Sequence, residues 1–300
     1  MSYVLLIITV LMWSFVGVMV KAASFMASSS VITLCRFFFG VVFLYLMMVI
    51  MDKKVVLYWK NKWIWIGVLG KCANYIFENI AITNGHAYGN VVIWPVQSIF
   101  IAIVAVIFFH EVMHFRKIAA LLLCLTGVIL VSFKGESLSV FFSAGFLPLL
   151  LFVFSAIGSG IFLISVMKLI DTIDSANLNL TMFFFCMILM SLPMPFTIHF
   201  SGHFSLWAVA SLIGLGLITG ISFYFNAEAL KKIPFLTVTL ISNSTILFTF
   251  FWAWLFFKET INGYIIVGGI VLVIGIVLVN IPENITMKNL VNARFGHGDD

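Results

Sequence analysis

The chain consists of long apolar segments separated by short polar connections. A helix needs about 20 apolar residues to cross the hydrocarbon core of a bilayer, and ten segments approach that length. They lie at about residues 2–21, 29–51, 63–84, 88–109, 116–133, 144–167, 176–198, 205–228, 235–257 and 263–281. The connections are too short for a soluble domain, so any chemistry must take place inside the helical bundle or at its mouths. The pattern predicts an all-α membrane protein with ten transmembrane helices.

The composition supports this interpretation. The 300 residues are 63% hydrophobic and 9% charged, whereas about a quarter of the residues of a soluble domain are charged. The first apolar segment lacks a basic region and a small-residue cleavage site, so we interpret it as a span and not as a signal peptide. The cysteines lie in apolar segments without the close spacing of a metal or redox pair. They are Cys35, Cys72, Cys124 and Cys186, and no cofactor is predicted.

The basic residues are unevenly placed. If the N-terminus is cytoplasmic, the cytoplasmic connections hold Lys53, Lys54, Lys60, Lys62, Arg116, Lys117, Lys168, Lys231, Lys232, Lys288 and Arg294. The outer connections hold only Lys21, Lys134 and Lys258. The protein is predicted to lie in the cytoplasmic membrane. Because cytoplasmic loops are enriched in Lys and Arg, both of its termini are predicted to lie in the cytoplasm. This placement accounts for the net charge of +5, so a nucleic-acid partner is not predicted.

The two halves of the sequence match at an offset of 148 residues. The matches are Phe108-Phe109-His110-Glu111 with Phe256-Phe257-Lys258-Glu259, Gly127-Val128-Ile129-Leu130-Val131 with Gly275-Ile276-Val277-Leu278-Val279, and Ala81 with Ala229. An odd number of spans in each copy places the copies in opposite orientations, which is an architecture of secondary transporters. The predicted units are residues 1–137 and 138–285, followed by a cytoplasmic tail at 286–300.

Each half resembles one EamA-type unit of the drug/metabolite transporter superfamily. The first half carries the resemblance at Trp13, Arg36, Ala81, Pro95, Glu111 and Gly127, and the second half at Ala229, Glu259 and Gly275. The second half departs from the pattern at Asn243, which stands where the first half has Pro95. The resemblance covers nearly the whole chain. It implies ten helices, a central cavity and, usually, export of small metabolites, without specifying the substrate.

A polar stripe within the third span is the candidate functional site. Lys71, Asn74, Tyr75 and Glu78 are spaced i, i+3, i+4 and i+7, so a helix places them on one face. A charge at the bilayer centre costs about 2.5–3.5 kcal/mol, so this face is predicted to line the bundle interior or an aqueous cavity. The alternative is a Lys71–Glu78 pair that only holds helices together.

The repeat places a second polar stripe in the eighth span. The residues that match the first stripe are Thr219, Ser222, Phe223 and Asn226, and we expect the two stripes to face each other across one cavity. Further candidates are Trp13 in the first span, Asn90, Trp94, Gln97 and Ser98 in the fourth, and Ser242, Asn243, Thr245 and Thr249 in the ninth. Polar residues of these types also form hydrogen bonds between helices, which is the alternative role.

The motif H-E-x-x-H occurs once, at His110-Glu111-Val112-Met113-His114. On a helix it is the zinc site of a metalloprotease, but that site also needs a third ligand, commonly a carboxylate. The aspartates all lie in connections or the tail: Asp52, Asp171, Asp174, Asp299 and Asp300. The repeat also explains Glu111 through Glu259, and capping or loop pairing is the role we expect for both. An intramembrane zinc protease therefore stays only a remote alternative, and the role of Arg36 stays open between packing and the cavity.

The sequence predicts a secondary transporter, not an enzyme, that exports a small polar metabolite by alternating access. An amino acid or a relative suits the stripe, because the Lys71 ammonium can bind its carboxylate and Glu78 its amine. The predicted substrate-binding residues are Lys71, Asn74, Tyr75, Glu78, Trp13, Trp94, Gln97, Asn226 and Asn243. Glu78 is also the candidate for proton coupling, although a pairing with Lys71 would oppose that role.

Other functions are compatible with the same pattern. The substrate could instead be an organic cation, a nucleobase-like compound or a sugar derivative, which transport assays against a metabolite panel would distinguish. A scaffold or receptor without transport is a further alternative. The predicted partners are the lipid bilayer, a small-molecule substrate and protons, and the protein is expected to be a monomer or a homodimer.

Overall fold

The structure is a computed structural model, which describes residues 2–109, 115–192, 204–233, 238, 241, 242 and 244–280. The described part of the first half contains α1 (Ser2–Ser14), α2 (Val16–Ser24), α3 (Ser29–Ile50), α4 (Lys62–Asn84), α5 (Ile93–Phe109) and α6 (Phe115–Phe133). A 3₁₀ helix, Ala87–Val92, leads into α5, and the change to α-helical geometry occurs next to Pro95. Helices α1 and α2 together form the first predicted span, which is interrupted at Phe15.

The described part of the second half contains α7 (Phe146–Leu169), α8 (Ser175–Ser191), α9 (Leu206–Leu217), α10 (Phe223–Leu230), α11 (Thr245–Phe257) and α12 (Gly263–Asn280). A short helix, Leu138–Val140, and a π-helical turn, Phe141–Gly145, precede α7. A second π-helical turn, Ile218–Ser222, joins α9 to α10 within the eighth predicted span. Each of the ten predicted apolar segments thus contains a described helix.

The described residues form an all-helical protein without strands. Five of their helical stretches are long and apolar enough to cross a membrane: Ser2–Ser24, Ser29–Ile50, Ala87–Val104, Leu138–Leu169 and Leu206–Leu230. Helix α4 has 23 residues but is not among them. It carries the polar stripe, and its polar residues must therefore be accommodated by neighbouring helices.

The contacts between the two halves occur in equivalent pairs: each contact has a counterpart in which every helix is replaced by the equivalent helix of the other half. Helix α4 packs against α7, and its counterpart α9–α10 packs against α1–α2, the counterpart of α7. Similarly, α5 packs against α7, and α11 packs against α1 and α2. The pairs α3–α8 and α6–α12 each join a helix to its own counterpart. This exchange is the contact pattern of an internal pseudo-two-fold axis.

Glycines bring α6 and α12 close together in the same symmetric manner. A Cβ atom added to Gly127 would lie 2.7 Å from the side chain of Leu272, and one added to Gly275 would lie 2.8 Å from the backbone nitrogen of Cys124. These two contacts are equivalent at the 148-residue offset. Small residues allow close backbone approach between membrane helices, so the glycine pair matched in the sequence has a packing role.

The connection between α3 and α4 is fastened to the start of α8, in the other half of the chain. The Asp174 carboxylate caps α8 by accepting from the backbone N–H groups of Ala176 (3.1 Å) and Asn177 (3.3 Å), and Lys53 donates to it at 3.1 Å. Burial alone would raise the pKa of Asp174, but the Lys53 ammonium and these backbone groups outweigh it and hold the pKa below its ordinary value. The backbone N–H of Val56 also donates to the Asn177 side chain at 2.8 Å.

Candidate functional site

The polar stripe of α4 lies in the interior of the bundle. Lys71, Asn74, Tyr75 and Glu78 are only 2%, 4%, 2% and 6% exposed. Helix α4 is continuous from Lys62 to Asn84, so the i, i+3, i+4, i+7 spacing places these side chains on one face. The prediction that this face points into the protein is confirmed.

Glu78 forms an ion pair with Arg36 of α3. The guanidinium Nη1 of Arg36 donates to Glu78 Oε2 at 2.8 Å and to Asn79 Oδ1 at 2.8 Å. Arg36 is 2% exposed, and its guanidinium carbon lies 3.5 Å from the centre of the Tyr75 ring. The structure thus places Arg36, whose role the sequence left open, within the polar cluster as the partner of Glu78.

The alternative of a Lys71–Glu78 pair is not what the structure shows. Residues seven apart in a helix are separated by about 10 Å along its axis, and the cation that binds the Glu78 carboxylate, Arg36, comes from another helix. Lys71 Nζ instead donates to Asn74 Oδ1 at 3.0 Å, one turn along α4. A basic residue within an apolar span was the signal that could have identified Arg36 as the partner of Glu78.

The Lys71 ammonium is surrounded mainly by aromatic rings. Its nitrogen lies 3.9 Å from the centre of the Phe223 ring, 4.1 Å from that of Tyr75 and 4.9 Å from that of Phe162. Such contacts stabilise a cation through the negative face of the ring, by about 2 kcal/mol or more when it is removed from water. The three rings come from α4, α7 and α10, so Lys71 lies where helices of both halves meet.

The two polar stripes contact each other in a symmetric pair of interactions. Tyr75 Oη and Thr219 Oγ1 are 3.1 Å apart and share a hydrogen bond. At the 148-residue offset, Tyr75 corresponds to Phe223 and Thr219 to Lys71, and Phe223 contacts Lys71. The stripes therefore face each other in direct contact, whereas the cavity expected between them stays a prediction. The π-helical turn Ile218–Ser222 carries Thr219, and such turns are frequent at functional sites.

Helix α7 links the α4 stripe to the fourth span. Asn74 Nδ2 donates to the Ser155 hydroxyl at 2.8 Å, and that hydroxyl donates to the Asn74 backbone carbonyl at 3.0 Å. One turn further along α7, Ser159 donates to Gln97 Oε1 at 2.8 Å. Phe162 continues the same face of α7. Gln97 is therefore placed beside the cluster, although its contact is a hydrogen bond between helices.

Two tryptophans extend the cluster away from Lys71. The Trp13 ring is centred 5.1 Å from that of Trp94 and 5.3 Å from that of Phe223. Phe223 thus contacts both Lys71 and Trp13. Trp13 is 7% exposed, and no acceptor for its indole N–H is present among the described residues. Phe223 was noted in the sequence only as the counterpart of Tyr75, yet it joins the charged and aromatic parts of the site.

The remaining candidates are placed less closely. Asn226 is half-buried on α10, one turn after Phe223. Asn90 is buried and lies in the 3₁₀ helix that precedes α5, whereas Trp94 lies in α5 itself. Asn243 and the H-E-x-x-H motif at 110–114 lie outside the described residues. Within the described residues, no group of three His, Cys, Asp or Glu side chains could hold a metal ion.

Glu259 lies away from this cluster and caps the 3₁₀ helix before α5. Its carboxylate accepts from the backbone N–H groups of Ala87 at 2.8 Å and Tyr88 at 3.4 Å. The capping role expected for Glu259 is confirmed, whereas Glu111 lies outside the described residues.

Comparison with known proteins concerns the fold and the family of the chain. The chain matches the EamA-like transporter family over residues 1–133 and again over residues 146–281. No curated protein sequence matches it significantly. Among 25 chains of known structure that match, one described as "Crystal structure of protein" superposes with a TM-score of 0.68 at 12% sequence identity. The superposition covers 93% of this chain and 97% of that chain, which shows that the two share a fold.

Proposed function

Because the chain belongs to the EamA-like transporter family, we propose that it is a secondary transporter that exports a small polar metabolite, an amino acid or a relative, across the cytoplasmic membrane. The proposed architecture has ten spans in two inverted repeats, residues 1–137 and 138–285, with a tail at 286–300. The observation that carries the proposal is the cluster of three buried charges, Arg36, Lys71 and Glu78, where helices of both repeats meet. Charged residues within membrane spans mark substrate and ion pathways.

The proposed mechanism is alternating access between the two repeats. The substrate site is formed by the α4 stripe on one side and by Thr219 and Phe223 on the other. A site shared by two repeats opens to one side of the membrane and then to the other as the repeats move relative to each other. The exchange-related packing of the halves supports this mechanism, because it supplies two equivalent sets of helix contacts that can exchange roles.

Glu78 is the proposed proton carrier. Its partner is Arg36 and not Lys71, and this cation likewise opposes protonation while the pair is closed. A proton would therefore enter as the Arg36–Glu78 contact opens, and protonation would then remove the charge that holds Arg36. Such a step can couple proton entry to a change in the contact between α3 and α4. Arg36 also bonds to Asn79, which would keep the guanidinium partly satisfied while Glu78 is neutral.

The proposal is tested with purified protein in proteoliposomes, by screening a metabolite panel for counterflow and for accumulation driven by a proton gradient. Glu78→Gln retains an oxygen that can accept from Arg36 but cannot carry a proton. We expect this variant to lose proton-driven accumulation and to retain exchange. Glu136→Gln, at an exposed position, is the matched control. Wild-type accumulation by Glu78→Gln would exclude Glu78 as the proton carrier, and absence of flux for every compound would contradict a transport function.

A further inference from the structure

The buried charges of the site do not balance. Among the described residues, the charged side chains that are fully buried are Arg36, Lys71 and Glu78, two cations and one anion. Glu78 is already committed, because Arg36 donates to it at 2.8 Å. Lys71 has only the neutral amide oxygen of Asn74 as a hydrogen-bond acceptor in the described protein. When all three groups are ionised, the site carries one positive charge in excess, on Lys71, and an anion bound beside Lys71 would stabilise that charged form.

Two buried donors of this cluster lack an acceptor. Among the described residues, the indole N–H of Trp13 and the Nε–H of Arg36 are buried without a hydrogen-bond partner. Buried polar groups in proteins are nearly always paired, and both of these groups can only donate. Trp13 contacts the same Phe223 ring as Lys71. The region around Phe223 therefore contains an ammonium and an indole donor that would both be satisfied by an acceptor-rich anion.

A substrate amine, in contrast, finds no free carboxylate among the described residues of this cluster. The one buried carboxylate, Glu78, is bound by Arg36, and the rings near Lys71 already contact a cation. A second ammonium beside Lys71 would be repelled in a medium of low dielectric constant. The earlier expectation that Glu78 binds the amine of a zwitterion therefore conflicts with the Arg36–Glu78 pair.

We infer that this site recognises its substrate through a carboxylate bound to Lys71, and that a substrate amine is dispensable. The inference rests on the proposed function, and it assigns the substrates to organic monocarboxylates, including the deaminated relatives of amino acids. The carboxylate takes the place of Asn74 Oδ1, since an ionised acceptor forms a stronger hydrogen bond with an ammonium than a neutral amide does. Trp13, Trp94 and Phe223 then contact the apolar body of the substrate.

The experiment compares matched trios of compounds that differ only in their charged groups. One trio is valine, 3-methylbutanoate and 2-methylpropylamine, and the other is phenylalanine, 3-phenylpropanoate and phenethylamine. Binding is measured as the ligand-induced shift of thermal unfolding of the purified full-length protein in detergent. We expect at least one carboxylate without an amine to stabilise the protein as strongly as its amino acid, and we expect neither amine to stabilise it.

Variants identify the residues that bind the carboxylate. Lys71→Met should weaken carboxylate binding about ten- to a hundred-fold, the usual effect of losing a hydrogen bond to a charged group. Lys71→Gln, which keeps a polar side chain beside Asn74, repeats the test if Lys71→Met does not fold. Trp13→Phe, which keeps a ring but removes the N–H, should weaken binding about fivefold. Lys54→Met, in an exposed connection, is the control and should bind as the wild type does.

Three results would overturn the inference: stabilisation by an amine alone, unchanged carboxylate binding by both Lys71 variants, or no shift with any of the carboxylates. The same compounds are then tested for flux in proteoliposomes, which separates the two proposals. Carboxylate binding without flux would contradict transport and leave the recognition of the carboxylate standing. Flux of an amine alone would support transport and overturn the inference.

Discussion

At the scale of single residues, the three buried charges differ in how firmly they are held. Arg36 and Glu78 form a direct ion pair with a second acceptor at Asn79. Lys71 is held by one amide oxygen and by aromatic rings. The pair is the more firmly held part of the cluster while Glu78 is ionised, and Lys71 is the part free to exchange its partner. This difference assigns separate roles to two side chains that the sequence places on the same stripe.

The Arg36–Glu78 pair should be strongly coupled in stability. Arg36→Met or Glu78→Met alone leaves the other member of the buried pair without its direct partner, and we expect each to lower the free energy of unfolding by about 3–5 kcal/mol. The double variant should cost less than the sum of the two. The measurement is a double-mutant cycle on unfolding of the purified protein in mixed detergent micelles. Additive effects would show that the two side chains do not depend on each other.

At the scale of helices, close backbone approach fixes which surfaces meet. Gly127 and Gly275 are equivalent in the two halves and lie in the same α6–α12 interface. A glycine within a helix costs about 1 kcal/mol relative to alanine, so its presence at both equivalent positions has to be offset by the packing that it permits. The π-helical turn Ile218–Ser222 acts in a different way, because it changes the winding of the eighth span beside Thr219.

Substitution of Gly275 tests this packing role. The Cβ atom of Gly275→Ala would lie 2.8 Å from the Cys124 backbone nitrogen, which cannot move away as a flexible side chain can. We expect the variant to lose about 1–3 kcal/mol of stability and to have a lower midpoint of thermal unfolding. Gly263→Ala is the matched control, because nothing lies within 4 Å of the added atom. Equal midpoints for the two variants would show that the α6–α12 contact tolerates an added methyl group.

At the scale of the whole molecule, two features determine two different relations: the contacts between equivalent helices and the distribution of the basic residues. The packing relates the halves to each other, whereas the distribution of Lys and Arg relates the protein to the membrane. The connection between α3 and α4 contributes both to the contact between the halves and to the distribution of basic residues. It carries Lys53 and Lys54, and it is fastened to the start of α8 through Asp174. The proposed orientation therefore places the start of α8 on the cytoplasmic side.

Labelling of single cysteines tests the orientation. In a background without the native cysteines, Lys54→Cys should react with a membrane-impermeant thiol reagent only after permeabilisation of the cells. Glu136→Cys, in the exposed connection after α6, should react in intact cells. The reverse pattern would place both termini outside. Equal reactivity at both positions in intact cells would instead indicate that the reagent had entered the cells. The labelling would then be repeated with a bulkier reagent.

The sequence by itself determined the properties that depend on local order along the chain. The positions of the apolar segments follow from the partition of side chains between water and lipid, and the placement of Lys71, Asn74, Tyr75 and Glu78 on one face follows from helical periodicity. The 148-residue offset also indicated that Thr219 and its neighbours lie opposite this stripe. Each of these properties depends only on the type and the spacing of residues along the chain, so a single sequence was sufficient.

Only the tertiary structure decided which side chains bind each other. Arg36 and Glu78 are 42 residues apart, and their pairing depends on the rotation and axial position of α3 against α4. The alternative of a Lys71–Glu78 pair fails because two helical turns separate the groups. Phe223 directly follows the π-helical turn and lies between Lys71 and Trp13. Such contacts arise from the packing of helices from both halves, which hydrophobic periodicity does not specify.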